Sequence, residues 1–414
     1  MSIKVLISNT LWSTINHVFS RGILMLSGIL LAKYLIPKDF AIYSYYQMTM
    51  VMISSYAALG LGVAASKFFA EFSVCKDNQE NRDTITTLSG ISLIFSLVVA
   101  VGIFFIPNKL LGADLGIPSY IFAISVLNIG LNLIPNCAIL SFEKYKKTTL
   151  ISLINGIFCL IGVYLAIELN QVYYSIYFFI IACSVQLIGQ SYLISKSLNG
   201  ISFKNRFMIK KKSLLRIFSF LGPLVLVSIL TALSGWIIGR SLLSIYGEYI
   251  FSVYSIGLQW FALALFIPGM ISRVILPRLI RGNIENSDNK KILKISCGIS
   301  LLFSFTIFLL GYISRDYLIG FYGSYYQEYK NIIIFFLLIA VLYAPANTLG
   351  NAIVAKLGSL PWLIITLIWF VLLLLTFYIC IAKYNIMAAI YSQGVATFTL
   401  LMLSYFLCKK KGLL

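Results

Sequence analysis

From Asn9 to Leu35 the chain reads NTLWSTINHVFSRGILMLSGILLAKYL. That run exceeds the ~20 mainly apolar residues a helix needs to cross roughly 30 Å of hydrocarbon. Its apolar region is too long for a cleaved leader, and Arg21 interrupts it, so it reads as a retained span. At 100° per residue, Asn9, Ser13, Asn16, His17, Ser20, Arg21 and Ser27 share an arc of roughly 140°. The remaining positions are chiefly Leu, Ile, Val, Phe and Met. An apolar helix with a guanidinium near its middle is a spanning segment with one side turned from lipid, because a charge facing acyl chains is costly.

The rest of the chain repeats the pattern. Its 414 residues are 60% hydrophobic and 11% charged, with a mean hydropathy of +0.94, where soluble domains carry about 25% charge. Spans are expected at about 9–35, 41–66, 84–106, 118–141, 148–168, 172–195, 214–240, 249–276, 292–314, 331–355, 360–382 and 385–408. Short breakers such as Pro37-Lys38-Asp39 and Pro107-Asn108-Lys109 separate them and leave no room for a soluble domain. The expected fold is an all-α integral membrane protein of about 12 transmembrane helices.

The basic residues orient it. Lys and Arg number 32 against 13 acids, a net charge of +19. Twenty-four of them fall in one set of loops and at the termini, six in the alternate loops, and Arg21 and Lys33 in the first span. By the positive-inside rule both termini are cytoplasmic, and the basic run 204–216 is a topology anchor, not a nucleic-acid surface. The long basic loop at 197–213 divides the chain into an N-terminal lobe, 1–196, and a C-terminal lobe, 214–414, of six helices each. Asp39-Phe40-Ala41-Ile42-Tyr43-Ser44 has a counterpart in Glu248-Tyr249-Ile250-Phe251-Ser252-Val253-Tyr254. Six is even, so the lobes would be parallel pseudo-symmetric repeats, an arrangement that places substrate in a central cavity between halves.

The candidate site is drawn from intramembrane polar residues. Arg21, His17, Arg240, Arg273 and Lys67 are the candidate cationic substrate contacts, although Arg240 and Arg273 lie near helix ends where snorkelling also accounts for them. Ser13, Asn16, Tyr43, Gln47, Asn132, Gln259 and Asn347 are the candidate polar lining. Interhelical hydrogen bonding is the competing account of each. Asn128, Asn132 and Pro135 in the fourth span, and Pro345, Asn347 and Asn351 in the tenth, mark helix irregularities. Helix interiors hold essentially no Asp or Glu, which disfavours a cation pump or carboxylate proton relay. Seven scattered cysteines without a Cys-x-x-Cys pair, and a single histidine, favour neither a disulfide framework nor a metal centre. No phosphate-cradling G-x-x-x-x-G-K-[ST] loop occurs. Nor can a nucleophile–base pair be assembled. Hence no cofactor, metal or catalytic residue is expected, and the protein reads as a transporter, not an enzyme.

Leu35-Ile36-Pro37-Lys38-Asp39-Phe40-Ala41-Ile42-Tyr43-Ser44 resembles the turn between the first two helices of O-antigen (polysaccharide repeat-unit) flippases. Gly60-Leu61-Gly62-Val63-Ala64-Ala65-Ser66-Lys67-Phe68-Phe69-Ala70-Glu71 resembles their second-helix exit, and the span with Trp260, Pro268, Gly269, Arg273 and Pro277 is similar in the same way. Ala41 stands where that family usually has Gly. The resemblance implies membership of the exporter superfamily that also holds multidrug exporters and lipid II flippases. It further implies two lobes around a cationic cavity, working by alternating access. The implied substrate is an undecaprenyl-pyrophosphate-linked oligosaccharide moved across the inner membrane, with a polysaccharide polymerase and chain-length regulator as partners. Arginine suits a pyrophosphate through its fork geometry. A multidrug/cation antiporter would need an acidic cavity residue, and a lipid II flippase usually carries more helices and intramembrane arginines. A membrane glycosyltransferase or ligase would need large loops or buried acids.

Overall fold

The computed structural model describes residues 3–58, 61–74, 79–106, 115–142, 144–195, 209–269 and 287–413. The first half contains α1 (Ile3–Tyr34), α2 (Pro37–Ala58), α3 (Leu61–Val74), α4 (Gln79–Phe105), α5 (Ser119–Ser141), α6 (Tyr145–Glu168) and α7 (Tyr173–Ser195). There follow α8 (Lys211–Ala264), α9 (Ser287–Ile313), the short α10 (Arg315–Gly320), a 3₁₀ turn (Ser324–Tyr329), α11 (Asn331–Leu357), α12 (Ser359–Tyr384) and α13 (Ile386–Lys410). No strand occurs among the described residues.

The helices match the expected spans with two refinements. The span expected at 41–66 is described as α2 and α3 on either side of residues 59–60, and helix continues to Val74. The spans expected at 214–240 and 249–276 are described as one helical run, Lys211–Ala264, broken at Gly247, whose φ of 80° and ψ of −176° are not helical, and residues 270–276 of the second lie outside the described residues. The turn between them is thus this one glycine, and Arg240 lies inside the helix 211–246. Among the described residues nine helices are long and apolar enough to cross a membrane, the run Gly222–Ala264 counted as one, and α10 is too short to span. The prolines at 135 and 345 lie inside continuous helices. Large apolar side chains stand exposed along the spans: Val98, Ile188, Leu302, Ile379 and Phe406 each expose more than 60% of their surface. Water does not tolerate such patches, and acyl chains do.

The chain divides into two compact units, Met1–Ile229 and Leu230–Leu414, so the division falls inside α8. In the first unit α5 packs against α3, α4 and α7, and α6 lies between α1 and α7. Its core gathers Phe68, Phe69 and Phe72 of α3, Leu88 of α4, Ile134 and Ala138 of α5, and Ile217 from the start of α8. Close α1–α6 contact rests on Gly156, where a Cβ would meet the Ile23 Cδ1 atom at 2.0 Å. In the second unit α11 is the central helix, packed by α9, α12 and α13 and buried over most of its length.

Candidate functional site

In the first unit, helical backbone from Ile3 to Tyr34 gives the polar positions of α1 the periodicity that gathers them on one side. The side chains of Ser13, His17, Arg21 and Lys67 lie outside the described residues, and residue 273 lies outside them altogether. Asn16 is described. It is buried, and its Oδ1 accepts no hydrogen bond among the described residues. On α2 the Gln47 amide donates to the Tyr43 hydroxyl one turn earlier, so these two predicted residues do meet. Tyr43 is almost wholly buried and Gln47 half-buried.

Asn132 sits elsewhere, in a polar seam that the sequence reading did not assemble. On α5, Asn128 donates to Ser184 Oγ of α7 at 2.9 Å. Two turns on, Asn136 Oδ1 receives the Gln190 amide of α7 at 3.5 Å. One turn before Gln190 on α7, Gln186 Oε1 accepts from Asn155 of α6 at 2.9 Å. The recurrence of asparagine at 128, 132 and 136, spaced four apart on one helix face, is the signal that could have found it. Asn132 Oδ1 and the fully buried Gln190 Oε1 have no partner among the described residues. A buried acceptor left unpaired costs about 1–3 kcal/mol, so the seam retains hydrogen-bonding capacity that water or a hydroxyl would satisfy. Neutral amides of this kind suit hydroxyls and water, not a phosphate.

In the second unit the predicted residues are spread out. Arg240 is half-buried on α8, near where Ser241 meets Tyr378 of α12 at 3.3 Å. Asn347 is half-buried on α11, two residues beyond Pro345. Ser252 and Ser255 turn their hydroxyls to the carbonyls of Glu248 and Phe251, at 2.8 and 2.9 Å, on their own helix. Gln259 Oε1 accepts from the buried Tyr322 hydroxyl at 3.1 Å and so fastens the segment between α10 and α11.

Acidic groups in the first unit meet bases at a helix start. Asp83 near the start of α4 binds Lys210 Nζ at 2.7 Å, and Glu80 lies 3.8 Å from Lys212. The Lys210 backbone N–H also donates to Thr87 Oγ1 at 3.1 Å, which ties the entry of α8 to α4. No group of three metal-binding side chains occurs among the described residues.

Membrane-length helices, in each of two units, with polar residues inside the spans, define an all-α multi-pass membrane protein. Solved structures share that fold. An inward-facing multidrug resistance MATE family transporter of the MOP superfamily is 14% identical, covering 95% of each chain at a TM-score of 0.73. A mutant of the Vibrio cholerae MATE transporter VcmN is 15% identical, covering 99% of this chain and 98% of its own, at 0.72. Lipid II flippase MurJ in an inward closed conformation is 17% identical, covering 96% and 87%, at 0.72. No curated protein matched the sequence. The chain belongs to the polysaccharide biosynthesis protein family, whose profile matches residues 6–283.

Proposed function

We propose that this protein flips undecaprenyl-pyrophosphate-linked oligosaccharide repeat units, of O-antigen or capsule type, from the cytoplasmic to the periplasmic leaflet of the inner membrane by alternating access. The observation that carries the reading is the family match over residues 6–283. The charge pattern supports it, because the charged side chain placed mid-span by the sequence is the guanidinium of Arg21, and a pyrophosphate is the anion such a group recognises. Arg21 is the principal substrate contact in this proposal, with His17, Lys67, Arg240 and Arg273 adding positive potential along the path. Asn16, Tyr43 and Gln47 meet sugar hydroxyls. Both termini are cytoplasmic by the basic-loop asymmetry. A polysaccharide polymerase and a chain-length regulator act on the product.

Deleting the gene should abolish the surface polysaccharide, and the wild-type gene should restore it. A charge-assisted hydrogen bond is worth about 1.5–3 kcal/mol, so Arg21→Ala should lower flipping by roughly 10- to 100-fold. Arg21→Lys keeps the charge, loses the fork and should fall between. Full activity of Arg21→Ala would overturn the assignment of Arg21. Normal surface polysaccharide in the deletion strain, with altered drug resistance, would replace the flippase reading by drug export.

A further inference from the structure

The segment between α9 and α11 lies between the spans expected at 292–314 and 331–355, and it is a built object. Asp316 is clasped by Lys330 at 2.9 Å and by Arg315 at 3.7 Å, which closes the ends of the segment on each other. Tyr322 and Tyr326 are fully buried pegs. The Tyr249 ring of α8 stacks on Tyr326 with centroids 6.0 Å apart and planes 10° from parallel. The Tyr249 hydroxyl donates to the Tyr325 carbonyl at 2.6 Å. Three of the segment's six aromatic residues, Tyr322, Tyr326 and Tyr329, whose ring meets Tyr249 edge-on at 5.8 Å, thus fix it to its own unit.

The other half point outward. Tyr317, Phe321 and Tyr325, spaced four residues apart, expose 79%, 54% and 53% of their surface. They follow directly in the chain on the end of α9, where Leu302, Leu310 and Ile313 expose 67%, 61% and 78%. A spanning helix carries such residues against acyl chains, so the aromatic residues occupy the level where it leaves the hydrocarbon. Tyr rings prefer that level, with the ring in the apolar boundary and the hydroxyl in the headgroups. From Ser314 to Lys330 the charges are Arg315, Asp316, Glu328 and Lys330, which cancel. Attraction to anionic lipid therefore does not hold the segment in place, in contrast with the basic loops elsewhere in the chain.

We propose that residues 314–330 form an interfacial anchor, with Tyr317, Phe321 and Tyr325 lying in the headgroup–acyl boundary of one leaflet and setting the depth of the second unit. The partner is phospholipid, recognised by apolar and aromatic contact and not by charge. This placement does not depend on what the protein transports.

Photocrosslinking in the full chain tests it. The photoreactive aromatic p-benzoylphenylalanine would be placed at position 317, at 321, or at 310 on the spanning face, and the protein reconstituted in phosphatidylcholine nanodiscs. Mass spectrometry after illumination should find phosphatidylcholine adducts at 317 and 321 as at 310, unchanged in yield when anionic lipid is added. Adducts at 310 with none at 317 or 321 would overturn the proposal, placing the segment in water. So would adducts that need anionic lipid, or crosslinks in native membranes to a second protein in place of lipid. A position 310 without lipid adducts would overturn it as well, because the anchor rests on the face of α9 lying against acyl chains. The probe at 321 serves if the variant at 317 does not accumulate.

Discussion

Asn155 and Gln186 show how single polar residues behave once water is excluded. The Asn155 amide donates to Gln186 Oε1, and the thiol of Cys159, one turn on, approaches Asn155 Oδ1 at 3.8 Å. Hydrogen bonds between spanning helices average about 0.6 kcal/mol and reach about 1.7, because the helix left alone in the membrane also finds partners. Asn155→Leu should therefore destabilise the protein by about 0.6–2 kcal/mol, chiefly by leaving the Gln186 carbonyl unpaired. The double variant Asn155→Leu/Gln186→Leu should recover part of that loss. Unfolding in mixed detergent micelles measures both, and the cycle isolates the coupling. If the two losses simply added, the pair would not be interacting. The seam was hard to read from the sequence, because its partners lie 31 to 56 positions apart. One amide in an apolar run looks the same whether it meets another amide, water or substrate. Tyr43 and Gln47 were legible because their spacing of one helical turn makes them neighbours on any helix.

At the level of elements, apolar length was the readable quantity, and it placed the crossings without help from the structure. Turns were read less well. The sequence between Arg240 and Tyr249 suggested a loop, yet helix runs to Tyr246 and the direction changes at Gly247 alone. Gly358, between α11 and α12, adopts nearly the same conformation, with φ of 90° and ψ of 174°. That region is essentially closed to residues bearing a Cβ, and forcing one into it costs of order 1–3 kcal/mol. Nothing lies within 4 Å of the Cβ position at either glycine, so the penalty is conformational and not a clash. Gly247→Ala and Gly358→Ala should each lower thermal stability by an amount in that range, whereas Gly235→Ala, mid-helix and equally open, should be neutral or stabilising. A fluorescence melting series on the three variants checks this, and equal behaviour of all three would refute it. The segment 314–330 escaped the sequence reading for a different reason. Its short helices have no apolar run of their own and are held by Tyr322 and Tyr326 through contacts with Gln259 and Tyr249, 63 and 77 positions away, which local pattern does not report.

For the molecule as a whole, the distribution of charge bears on what drives transport. The spans hold Arg21 near the middle of the first and no carboxylate near the middle of any, while the described acids at Glu80, Asp83 and Asp316 meet bases at helix ends or in a connecting segment. A proton- or sodium-coupled exporter built on carboxylates needs the opposite arrangement. On the proposed function the cargo is itself an anion, and a membrane potential negative inside does work on it. At about 2.3 kcal/mol per charge per 100 mV, a pyrophosphate dianion moving outward gains roughly 4–5 kcal/mol. Spread over the transport cycle, that equals an accumulation ratio of about 10³ at equilibrium. In proteoliposomes loaded with a short pyrophosphate-linked glycolipid, a valinomycin-imposed potassium gradient should accelerate net movement toward the positive side, and reversing the gradient should reverse it. A pH gradient of equal driving force, with the potential clamped at zero, should have little effect. The reverse pattern would make proton coupling the driving term. The histidine of the first span, the side chain whose ordinary titration falls near neutral pH, would then be tested first, with His17→Ala expected to abolish the response to the pH gradient.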